Sequence, residues 1–360
     1  MTRSLLAAAL VAALPAAVHA QGPGDAAILV APHFASYDIG TGAAKYSISQ
    51  TALPIVVTMP FTQRFSVDLT TAFASAKVTR GDTTSSSISG LTDTQIRANY
   101  AMAERNVVFT LGLNLPTGQY TIPEDQTEAA GQIGNDFLNF PISAIGNGLA
   151  GTGGVAYARE LGAWNFGAGA SFRKSTEFAA YDVSGTDLRF QPADEMRLSL
   201  GLDRPVRDGQ VQFGLSYSAF GEDAADSTTY STGDRLILSG SWSFPVKSTT
   251  VFLSGWNLYR MAGQQFAGDA PPENVANVSG GVSFQAGPAL VQPNVEIRLW
   301  QVDGIKAGNL FNTGVRVRLS AGKFSFYPQV GYSAGNLYDI SSGAGTAVKG
   351  LRSSLTVRWN

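Results

Sequence analysis

The chain has 360 residues, with 25 Lys+Arg against 27 Asp+Glu, 40 Gly, 16 Pro, two His and no Cys. The slightly acidic balance argues against nucleic acid, which would want a basic face. The lack of cysteine removes disulfide staples, thiol chemistry and any His/Cys metal centre, so no metal and no cofactor is expected.

The first twenty residues, MTRSLLAAALVAALPAAVHA, have a positive Arg3, an apolar stretch at 5–14 and small residues at Val18-His19-Ala20. That order predicts a signal peptide cleaved after Ala20, too short to span a membrane as a helix. Removing it leaves 24 basic and 27 acidic residues, a formal charge of about −3. Residues 21–360 contain no linker, no composition shift and no run of 18 uncharged apolar residues, so they are expected to form a single domain without a membrane helix.

From there the chain repeats one unit, a stretch of alternating apolar and polar residues followed by a turn or loop. In chain order the stretches are 26–38, 44–58, RFSVDLTTAF (64–73), TDTQIRANY (92–100), NVVFTLGLN (106–114), 148–160, AWNFGAGASFR (163–173) and EMRLSLGLD (195–203). They continue as VQFGLSYSAF (211–220), RLILSGSWSF (235–244), 248–260, NVSGGVSFQ (277–285), VQPNVEIRLW (291–300), LFNTGVRVRLS (310–320), FSFYPQVGYS (324–333) and LRSSLTVRW (351–359). Alternation with period two is the mark of a strand with one greasy and one wet face. The links sort into two kinds. Those at 59–63, 102–105, 161–162, 204–208, 245–247, 286–289 and 321–322 are short; those at 39–43, 79–88, 115–147, 175–191, 221–230, 261–273, 303–309 and 335–347 are mostly long and polar.

This pattern predicts an all-β fold: a transmembrane antiparallel β-barrel of about sixteen strands (14–18), with short periplasmic turns and long extracellular loops. Aromatics on the greasy parity agree. Trp164, Phe244, Phe284, Phe324 and Trp359 fall beside the short turns, and Phe172 and Tyr217 nearer the long loops, as two interfacial girdles would. Open sheet edges are not tolerated in hydrocarbon, so the sheet must close, and a barrel of this size leaves an aqueous lumen unless something fills it. The longest link, 115–147, contains FLNFPI with Phe137 and Phe140. It either folds inward as a constriction or packs on neighbouring loops.

The polar parity lines the expected pore with Arg64, Asp68, Arg97, Arg197, Glu296, Arg298, Arg316, Arg318 and Arg352 among others, an excess of arginine. Such a wall favours anions; Glu195–Arg197 and Glu296–Arg298 are also spaced to brace neighbouring strands. No catalytic set is found. GYSAG (331–335) matches G-x-S-x-G, but Ser333 ends a strand, and the one histidine after the signal, His33, lies far upstream.

Three stretches resemble the outer-membrane transporters of the meta-pathway of phenol degradation: GLTDTQIRANYAM (90–102), VVFTLGLNLPTGQY (107–120) and GNGLAGTGGVAYARELGAWNFGAGASFRK (146–174). The resemblance covers about a third of the mature chain, in its first half. It implies passive uptake of small, often aromatic or apolar, compounds and brings no binding residue with it. Asn360 after Trp359 departs from the terminal aromatic usual in barrels recognised by the barrel-assembly machinery.

The expected function is therefore passive diffusion of small molecules through the bacterial outer membrane, without enzymatic activity. Its partners would be outer-membrane lipid, lipopolysaccharide, the assembly machinery and a small-molecule solute. The alternatives are a structural or adhesive barrel with an occluded lumen and, behind it, an outer-membrane hydrolase.

Overall fold

The computed structural model describes residues 26–42, 45–81, 83–183, 185–226, 228–265 and 268–359; the expected signal peptide and Asn360 lie outside them. Sixteen antiparallel strands close into one barrel. β1 is split into Ala27–Val30 and His33–Ile39, followed by β2 (Tyr46–Pro60), β3 (Phe65–Arg80), β4, split into Thr83–Leu91 and Thr94–Met102, and β5 (Val107–Leu115). Then come β6 (Ala150–Leu161), β7 (Trp164–Ser175), β8 (Glu195–Val206), β9 (Gly209–Phe220), β10 (Arg235–Val246) and β11 (Thr249–Arg260). The last five are β12 (Glu273–Ala286), β13 (Ala289–Val302), β14 (Ile305–Ala321), β15 (Phe324–Tyr338) and β16 (Gly345–Trp359). β16 closes the barrel on β1, with Ile28 opposite Trp359 and His33 opposite Ser354.

The outer face is a lipid-facing belt. Leu198, Leu200 and Leu202 of β8, Val295, Ile297 and Leu299 of β13, and Leu351 and Leu355 of β16 all point outward and are exposed. With the sheet closed on itself, no backbone edge is left inside that belt, which is the condition for crossing hydrocarbon with strands. On β2, β3 and β4 the outward residues change character with height. Val67, Leu69 and Phe73 give way to Ser75, Lys77 and Thr79, and Leu91 to Ser89, Ser87 and Ser85. These strands continue as a polar-faced wall beyond an apolar band that is about 25 Å tall in such barrels.

The two ends differ as the link lengths require. At one end every turn is tight; Arg207, Lys247, Gly287 and Gly322 carry the positive φ of two-residue hairpins. At the other end, hairpins at Phe178–Val183/Thr186–Gln191 and Glu222–Ala225/Thr228–Ser231 join Ile122–Pro123 in a five-stranded sheet separate from that of the barrel. Two links expected to be long are short. β13 and β14 meet through Asp303 and Gly304 alone, at φ 52 and 73, an Asp-Gly turn whose signal was masked by the bulge at Trp300/Gln301. The 79–88 stretch is hairpin rather than loop. Its outward serines suit water, so it shows no greasy parity.

The packed core lies inside the barrel, at the loop end. Tyr37, Ile48, Ala76, Val78, Ile88, Val275, Leu310 and Val348 of the wall are buried against Ala129, Ile133, Phe137, Leu138, Phe140 and Ile145 of the segment between β5 and β6. Within that segment α1 (Thr127–Ile133) turns Ala129 and Ile133, four residues apart, onto the wall. Each large apolar side chain buried there contributes roughly 1.5–3 kcal/mol. Residues 129–145 of the longest link are thus buried against the inner wall, while Ile122–Pro123 of the same link pairs with the neighbouring Phe178–Val183 strand.

Candidate functional site

The inward segment is held at its two feet and along its middle. At the feet stands Asp93, at the break in β4, 7% exposed. Its carboxylate accepts from Asn147 N at 2.7 Å, Gly118 N at 3.1 Å and Asn114 Nδ2 at 2.8 Å, while its own N–H donates to Ile145 O. The Asn114 amide also donates to Gly148 O at 2.6 Å, and Thr117 Oγ1 accepts from Thr94 N at 2.8 Å. The backbone passes so close at Gly118 that a Cβ would strike Ile145 O and lie 2.9 Å from Asp93 N. Residues 93–94, 114–118 and 145–148 therefore meet at one knot.

Along the middle, wall side chains grip the segment's backbone. Gln50 donates to Ile142 O at 2.6 Å and accepts from Ile142 N at 3.0 Å, so its primary amide pairs with the peptide as a strand would. Tyr37 Oη donates to Leu138 O at 3.0 Å, Arg298 Nη1 to Phe137 O at 2.7 Å, and Arg352 Nη2 to Leu138 O and to Asn139 O at 3.0 Å. Phe137 stacks on Trp300 (5.3 Å between centroids, 20° between planes) and Phe140 meets Tyr37 edge-on (5.6 Å, 89°).

The arginines expected along the pore fall into four groups. Arg298 and Arg352 face inward but serve the segment: Arg298 is 1% exposed, paired with Glu296 at 2.6 Å and set over Trp256, and Glu296 also accepts from Asn312. Arg298 is thus a buried clamp and does not line the open pore. Arg197 braces the wall through Glu195 at 2.7 Å and Ser218 at 3.1 Å. Arg97, in register with Asp68, is exposed to the lumen, and Asp68 itself accepts from Thr58 and Asn99. Arg316 and Arg318 face inward towards the tight turns, Arg316 between Gln292 and Gln329 and Arg318 over Tyr327. Arg64 departs from expectation. It lies in the turn between β2 and β3, bonded to Glu104 of the next turn; the strand begins one residue later than its alternation implied.

Opposite the segment the lumen is open. On β8 to β10 the inward positions are small or polar apart from Ile237, and Gln212, Ile237 and Ser239 are exposed. A Cβ built on Gly201 of β8 would touch nothing within 4 Å. Sequence reasoning missed Tyr37, Gln50, Trp300 and the part played by Asp93. Asp93 could have been found from its place in a conspicuous motif; the others sit on strands whose parity is regular and unremarked.

His33 faces inward opposite Ala52 and Ser354, and Ser333 lies in the regular part of β15, 1% exposed, with no sharp turn around it. Among the described residues no group of three or more His, Asp or Glu is placed to hold a metal ion.

No family model and no curated protein sequence matches the chain. Among solved structures it is similar to a bacterial polysaccharide outer membrane secretin, at a TM-score of 0.51 and 7% identity over 93% of this chain and 98% of that one. It is also similar to an outer membrane channel from Pseudomonas putida F1 (TM-score 0.43, 13% identity, 96% and 99% covered). A third similarity is to an anion-selective porin from Comamonas acidovorans (0.44, 11%, 93% and 99%). The first of these similarities establishes the fold, a closed outer-membrane-type β-barrel.

Proposed function

We propose that the chain is a channel of the bacterial outer membrane for passive diffusion of small molecules, narrowed by the segment between β5 and β6 and favouring anions. The observation that carries this reading is the exposed inner wall at Gln212, Ile237 and Ser239, which supports a path beside the inward segment. The tight turns would face the periplasm and the elaborate hairpins the outside. The apolar belt would meet outer-membrane lipid and lipopolysaccharide, after insertion by the barrel-assembly machinery. Arg97, Arg316 and Arg318 supply positive charge along the path, the usual device for anion preference. The resemblance to phenol meta-pathway transporters supports small, aromatic or apolar solutes. The reading is non-enzymatic, because Ser333 of GYSAG lies within the regular part of β15, without the sharp strand-to-helix turn that a nucleophile elbow needs.

The test is single-channel recording of refolded protein in a planar bilayer under a KCl gradient. Discrete steps with a reversal potential on the chloride side are expected. Silence from a barrel verified as folded would favour a second reading, an occluded structural barrel, which the well-packed core around Phe137 and Phe140 supports.

A further inference from the structure

The wall under the inward segment carries the chemistry of a ligand site. Phe137 lays its ring on Trp300, and Arg298 donates to the carbonyl of that same residue at 2.7 Å. Three residues on, Phe140 sets its ring against Tyr37, while Arg352 reaches the carbonyls of Leu138 and Asn139. Each half of the segment thus offers a ring and an oxygen acceptor to an aromatic side chain and a guanidinium. The wall is cut to admit the ring: a Cβ on Gly308 would lie 2.9 Å from Phe137 Cζ and 3.2 Å from Trp300 Cε3.

The segment does not use all that the wall offers. Arg298 Nε and Asn277 Nδ2 are buried without a hydrogen-bond partner, on residues 1% and 5% exposed, and stand on adjacent strands in direct register. A buried donor left without an acceptor is destabilising. A carboxylate is a far better acceptor for a guanidinium than a neutral carbonyl is. Glu296 neutralises Arg298 in part, through Nη2, while Nη1 and Nε look to the segment and to nothing, respectively. Glu273 is already engaged by Trp300 Nε1 and Arg260.

We infer that the cleft of Trp300, Arg298, Tyr37 and Arg352 is a binding site for small aromatic carboxylates, in which residues 137–140 sit as an internal stand-in that such a solute displaces. The ring takes the place of the Phe137 ring on Trp300, and the carboxylate takes the Arg298 donors. The Asp93 knot keeps both feet of the segment in place, so the displacement is local. The inference rests on the channel reading and names the solute class of that lumen.

The chain has no native cysteine, so Leu138→Cys, at a position 1% exposed, gives one buried thiol reporter on the segment. Its labelling by a water-soluble maleimide is followed in refolded barrels in lipid vesicles, with benzoate, benzyl alcohol or acetate added. Labelling at least tenfold faster with benzoate, saturable and absent with the other two, is expected. Adding Arg298→Gln should remove the benzoate dependence, and Arg352→Gln does the same service if the first variant fails to fold. An unchanged or slower rate with benzoate overturns the inference, as does equal acceleration by benzyl alcohol. Conductance of the same preparation separates the two readings. Steps without a benzoate response sink the site alone, and a benzoate response without steps sinks the channel alone.

Discussion

The carboxylate of Asp93 accepts the backbone N–H of Asn147 at 2.7 Å, across 54 residues of chain. Its second oxygen takes Gly118 N, so one side chain ties the way in and the way out of the inward segment together. Replacing it with alanine leaves two backbone donors and the Asn114 amide short of an acceptor in a buried place. Asp93→Ala should lower stability by about 1.5–3 kcal/mol, the range for hydrogen bonds to a charged group. It should also make single-channel current noisier as the feet loosen. A quiet trace and an unchanged urea midpoint would show that the knot does not govern the segment.

The open side of the lumen gives the next expectation. Because a Cβ on Gly201 meets nothing within 4 Å, a large side chain there enters free space without disturbing the wall. Gly201→Trp should cut single-channel conductance severalfold while leaving thermal stability within about 0.5 kcal/mol, as for surface substitutions away from special features. Unaltered conductance would mean that ions pass elsewhere.

How much of this was legible beforehand follows from what alternation can and cannot carry. Leu198, Leu200 and Leu202 face lipid along all of their strand, so period two is clean and the strand is easily read. Above the lipid band the rule weakens. Ser85, Ser87 and Ser89 face water outside while Ser86 and Ile88 face the core, and a polar-out, mixed-in hairpin looks like a loop. Parity also placed Arg298 and Arg352 correctly on the inner face. It could not say that a segment some 160 to 210 residues away would cover them, because non-local packing leaves no local period. Arg64 shows the opposite limit, a boundary misjudged by one residue at a turn.

Charge selectivity tests the inner wall. Arg97 is exposed to the lumen, in register with an Asp68 already satisfied by Thr58 and Asn99. Arg97→Glu reverses one lumen charge without touching the core. The reversal potential in a KCl gradient should move toward the potassium side, more at 0.1 M salt than at 1 M, because screening shortens from about 10 Å to about 3 Å. A reversal potential that stays in place would remove Arg97 from the path.

The link between β15 and β16 carries a pH signature of its own. Asp339 accepts from the hydroxyl and N–H of both Ser341 and Ser342, and these bonds hold its carboxyl down at about 2, against an ordinary 3.8. A carboxylate depressed in the folded chain lends its order fully above the ordinary value and loses it as pH falls through the folded one. The loop should therefore keep its Asx-type turn at pH 5 and begin to lose it below pH 4. The loss is half complete near pH 2. The Asp339 side-chain carbon resonance, titrated in detergent micelles, should show that midpoint, with the Ser342 amide proton following it. In Asp339→Asn the Ser342 shift should no longer move with acid. A midpoint near 3.8 in the unaltered chain would mean that the serine hydrogen bonds do not persist in solution.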